Sequence, residues 1–170
     1  MDAEALTREL ELSVGMVTAL LEGVSAKEAR FKPTPETWSM LEVLCHLYDE
    51  EREDFRQRLD ILLHRPTEPW PSIRPAEWVT ERNYNSRDFD EMRQKWLDER
   101  QKSLEWLKSL KNPDWEQSAT APWGATMKAA DMFASWVAHD GLHIRQLVEL
   151  RRARTENLTS PYFIGYAGDW

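Results

Sequence analysis

The sequence has almost no cysteine. Cys45 stands alone among 170 residues, so no internal disulfide can form, and its place in an apolar helical run suits a small buried hydrophobe with no chemical role. Basic charge is also short. Lys and Arg number 22 against 30 Asp and Glu, for a formal net charge of -8 and a pI near 5.1. Such a surface repels phosphate backbones and anionic lipid, so neither nucleic acid nor membrane is an expected partner. No apolar run approaches the roughly 20 residues that span a bilayer. The opening MDAEALTREL puts acidic residues where a signal peptide carries a basic start and an apolar stretch, so a cytoplasmic protein is expected. Glycine-rich phosphate loops, internal repeats and low-complexity tracts are all missing. What is present is 41% hydrophobic residues with nine tryptophans, enough for a substantial core in one domain over residues 1–170.

Apolar periodicity predicts four helices. Leu6, Leu10, Val14, Val17, Leu21 and Val24 recur at spacings of three and four, one stripe of a first helix. Pro33 and Pro35 make Ser25 to Thr37 a connection. Ser39 with Glu42 is a capping box, with Trp38 and Val43 as a candidate hydrophobic staple, and a second helix runs from there to His64 and Arg65, before Pro66. From Pro66 to Asn85 four prolines and two tryptophans show no period, which predicts a long loop able to run the length of a bundle and bring the third helix in parallel to the second. Ser86 is the expected cap of the third helix and Pro113 its end. Thr126 is the expected cap of a fourth, from about Met127 to Arg152, and the tail SPYFIGYAGDW is expected to lie over the bundle. The fold class is all-α, a four-helix bundle.

Chemistry falls to the histidines. His139 and His143 are four apart, so on a helix they point within about 40° of one another, the geometry two ligands of one metal ion need. They share a face with Met132, Trp136, Leu147 and Leu150, which turns them into the bundle. The competing reading is two buried histidines that satisfy each other or nearby carbonyls. The local sequence HDGLH also resembles the zinc-peptidase HExxH, with Asp140 where Glu belongs. Gln146 is a candidate to orient a ligand or touch substrate. His46 projects with Glu42, Asp49, Glu50 and Glu53, away from the apolar stripe, where a solvated histidine is the competing reading; a groove between the second and fourth helices would reconcile it with the pair. His64 lies about 27 Å further along the helix, too far to share an ion, and is placed to cap the helix end.

The stretch WSMLEVLCHLYDEE, with Trp38, Ser39, Glu42 and His46, followed by WVAHDGLHIRQL, with His139 and His143, resembles the DinB/YfiT-like family of metal-dependent enzymes. The resemblance spans all four helices. It implies an up-down-down-up bundle, in agreement with the long second connection, and it places the family's three metal ligands on His46, His139 and His143. It further implies zinc or nickel as the divalent ion, a small-molecule substrate, a homodimer, and in some members a low-molecular-weight thiol used in transfer or isomerisation. Three neutral imidazoles leave an ion open positions, the arrangement of a catalytic site. The resulting expectation is a metal-dependent S-transferase or hydrolase, with Glu50 and Asp140 as candidate bases and Gln146 as a further candidate. The alternative is a bundle that binds metal or ligand without turnover, as an interaction module.

Overall fold

The computed structural model describes residues 1–168. Four long helical segments carry the fold: α1 (Ala3–Leu21), α3 (Met40–Glu50) continued through a π-helical turn (Glu51–Phe55) into α4 (Arg56–His64), α6 (Phe89–Ser109) and α7 (Ala129–Thr159). Short helices α2 (Ala26–Ala29) and α5 (Pro75–Glu81) and a hairpin of β1 (Ser118–Thr120) and β2 (Thr126–Lys128) fill the connections. Among the described residues no helix is long and apolar enough to cross a membrane.

The capping box forms as its spacing predicts. The Glu42 amide donates to Ser39 Oγ at 3.1 Å and the Ser39 amide to Glu42 Oε2 at 2.8 Å. A second box, Ser25 with Glu28, starts α2 inside the segment expected to be irregular. Other boundaries moved. Tyr84 to Ser86 is a 3₁₀ turn, so Asp88 caps α6 and accepts from the Glu91 amide at 2.9 Å. Thr126 pairs across the hairpin with Thr120, and α7 starts only at Ala129, where Asp131 accepts from the Lys128 amide. At its far end α7 outruns Arg152 because no breaker precedes Pro161 and an Arg152–Glu156 pair supports the extra turns.

Side-chain pairs fix the directions. Glu51 and Arg56 meet Arg100 and Ser103, so the second and third long helices run parallel; Ser13 and Glu22 meet Asp140 and Arg151, so the first and fourth do as well. His46 and Glu51 meet His143 and Trp136, which sets those two pairs antiparallel. The order is up-down-down-up. The second connection is long but not structureless: it retraces the second helix, with contacts from Pro71 to Arg58, Arg82 to Glu53, Tyr84 to Asp49 and Asn85 to Ser39. Trp78, under the Arg82 guanidinium, anchors α5 against it.

The core is split in two. One apolar cluster holds Val17, Leu44, Leu47, Trp96 and Leu147, the other Leu10, Leu59, Leu104, Phe133 and Trp136. Between them every long helix turns a polar residue inward: Ser13, then His46, Glu50 and Glu51, then Arg100 and Ser103, then Asp140 and His143. Over its described residues the tail departs from expectation, since Tyr162, Phe163 and Tyr166 are exposed, as is Leu158 near the end of α7; Asp169 and Trp170 lie outside the described residues.

Candidate metal centre

The polar layer gathers the three histidines. His46 sits on α3 and His139 and His143 on antiparallel α7, and their Nε2 atoms converge: His46 to His139 at 3.2 Å and His143 to His139 at 3.1 Å. Ligand nitrogens held about 2.05 Å from a tetrahedral ion lie roughly 3.3 Å apart, so this spacing fits one ion. Among the described residues these three form the only such cluster of metal-ligating side chains. The His143 Nδ1 is 2.8 Å from Gln146 Oε1, which as an acceptor holds the ring proton there and leaves the Nε2 lone pair facing the centre. His46 Nδ1 is buried and has no partner.

The walls are apolar. The Trp38 ring stands 4.9 Å from that of His46 and stacks 6.2 Å from that of His143, and Phe55 is 4.9 Å from His139. Burial holds all three imidazoles neutral. It pushes His46 down to about 2, with His143 and His139 adding, and His139 down to about 3, with His143 adding; it also lowers His143, against the bond to Gln146. Neutral imidazole is the form a metal takes up.

Glu50, one turn beyond His46, points the same way. Its Oε2 lies 3.9 Å from His139 Nε2, and its buried carboxyl shares a hydrogen bond with that of Asp54. Burial raises its carboxyl to about 9, and the neighbouring Asp54 carboxylate adds to the effect. Asp54 is raised too by burial, against the pull of Arg58 at 2.9 Å. Asp140 is placed elsewhere. Although adjacent to His139, its carboxylate is taken by Arg100 and by Ser13 Oγ at 2.5 Å, so it is not turned toward the centre. His64 is exposed and bonds Asp60 at 2.9 Å, one turn back on the same helix.

A cavity of about 590 Å³ lies against the His143 side of the centre, lined by Trp38, His143, Gln146, Glu149 and Leu150 among others, with neither His46 nor His139 in its wall. A second, of about 530 Å³, lies by Leu107, Trp115 and Phe133 and holds none of the histidines. Sequence reasoning missed Arg100. A signal existed, because Arg100 interrupts the stripe Trp96, Leu104 at spacings of four with a charge.

Residues 9–147 match the sequence pattern of the DinB superfamily. The chain belongs to the DinB superfamily. No curated protein matches it. Among solved structures it is similar to YfiT from Bacillus subtilis, described as a probable metal-dependent hydrolase with an unusual four-helix bundle topology. The TM-score is 0.79 at 15% identity, over 90% of this chain and 87% of that one, a likeness of fold. In this DinB chain the three-histidine cluster lies where two antiparallel helices face each other across the polar layer, a donor set suited to a divalent ion with positions left open.

Proposed function

We propose that the protein is a metal-dependent hydrolase of a small molecule, with His46, His139 and His143 holding a divalent ion, zinc or nickel, and Glu50 as the acid–base group beside it. The observation that carries this reading is the convergence of three neutral Nε2 atoms next to the buried Glu50 carboxyl. A bound ion supplies Lewis acidity, lowering the pKa of a water or thiol toward neutrality. Gln146 fixes the His143 ring. Trp38 and Phe55 exclude solvent from the flanks of the imidazoles, and the cavity beside Trp38 admits the substrate. Burial leaves the Glu50 carboxyl protonated near neutral pH, and a divalent cation held beside it would favour the carboxylate, the form that could take up the proton of a nucleophile. The substrate, the nature of the nucleophile and the homodimer expected from the family resemblance belong to the same proposal.

The test is elemental analysis of protein purified without a His tag or nickel column, followed by a screen of ester, amide and thioester hydrolysis with and without a low-molecular-weight thiol. Stoichiometric metal that is lost in His46→Ala, and turnover that falls about 10²- to 10⁴-fold in Glu50→Gln with metal retained, support the reading. Turnover that requires thiol identifies an S-transferase instead. Metal without any turnover identifies a binding module, and no metal at all overturns the site.

A further inference from the structure

Helix α6 carries none of the histidines, yet it sends one fully buried cation, Arg100, into the layer that holds them. All the donors of its guanidinium are used. Nε and Nη2 donate to the two Glu51 oxygens at 2.8 and 2.7 Å; Nη2 and Nη1 donate to the two Asp140 oxygens at 2.9 and 2.5 Å; Nη1 also reaches Ser13 Oγ at 2.7 Å and the Leu10 carbonyl at 3.3 Å. Trp136 Nε1 completes Glu51 at 3.1 Å. One planar group therefore ties α6 to the other three long helices.

The two carboxylates it grips stand next to the centre in sequence. Glu51 follows Glu50 and opens the π turn, and Asp140 follows His139. Gripping both sets the separation and axial register of the second and fourth long helices at the level where His46 must meet His139 and His143. From this geometry we infer that Arg100 is a positioning residue for the three-histidine centre, an inference that rests on the metal-binding reading above. A bidentate fork to two carboxylates is a geometry that a lysine ammonium does not reproduce. The charge of Arg100 works in the opposite sense: a cation in the layer repels a second cation, so losing charge alone would tighten metal binding.

Arg100→Lys separates the two effects, because it keeps the charge and loses the fork. Zinc affinity is measured at neutral pH by competition with a chromophoric chelator, and the geometry of the centre by the visible absorption of the cobalt-substituted protein. Dissociation constants about 10- to 100-fold above wild type, with altered cobalt bands in protein that retains its helical circular dichroism, are the expected result. Unchanged affinity and unchanged bands, with only thermal stability reduced, overturn the inference and leave Arg100 a purely structural group. Should Arg100→Lys fail to fold, Arg100→Met combined with Glu51→Gln removes one charge of each sign, and the same loss of affinity is expected. Wild-type protein that binds no zinc or cobalt would sink the metal reading itself, and the inference with it.

Discussion

Replacing His46 with glutamine removes one titrating group from the centre while keeping a polar side chain of similar reach. In metal-free protein the wild-type imidazole is held down to about 2 from its ordinary 6.5. In acid the unfolded chain takes up a proton that the native state refuses. The stability contributed is fully present above about 6.5 and is lost as pH falls below it toward the native value. Between about pH 7 and pH 5.5 the linkage integral for one such group comes to about 1 kcal/mol. Glu50 acts in the other direction: raised to about 9 from 4.5, it contributes stability that is full below 4.5 and fades as pH rises. The raw slope mixes both, so the informative quantity is wild type minus His46→Gln. Urea unfolding after chelation should show the wild type losing about 1 kcal/mol more than the variant over that interval, a midpoint change of roughly 0.5 M for a slope near 2 kcal/mol/M. Two pH profiles that stay parallel would refute a neutral, buried His46.

Ser39→Ala removes the acceptor of the Glu42 amide and the contact to Asn85, and should cost about 1–2 kcal/mol, read as a melting point lower by several degrees. Leu59→Ala, at a fully buried position of the cluster it forms with Leu10, Leu104, Phe133 and Trp136, should cost about 2–5 kcal/mol in chemical unfolding without changing metal stoichiometry. Zinc at a hundredfold excess over its dissociation constant should raise wild-type stability by about 2.7 kcal/mol, and leave His143→Ala unmoved in the same melting assay.

Local signals were readable because their partners lie within a turn or two. Ser39 and Glu42 announce a helix start at a spacing of three, and His139 and His143 share a face at a spacing of four. His46 was harder: measured against the apolar stripe it projects to a charged side, and the stripe is the wrong reference where the bundle interior is itself polar. Its face looks acidic because Glu42, Asp49 and Glu50 are buried there with it. Asp140 looked like a base beside two histidines, but its partners Ser13 and Arg100 are distant in the chain, and no local period reveals them. The hairpin displaced the Thr126 cap through pairing with Thr120, another non-local choice.

The π turn at Glu51–Phe55 means that the second long helix contains one residue more than a regular coil of its length would hold. In a plain helix, consecutive side chains diverge by about 100°, so two adjacent carboxylates rarely both serve the interior. Here the two neighbours at the entrance to the π turn are both buried and serve different clients, Glu50 the imidazoles and Glu51 the guanidinium. A relative lacking that extra residue could keep both halves of the helix in phase with their clusters and keep the overall architecture. It would have to give up either the acid beside the centre or the anchor beneath it.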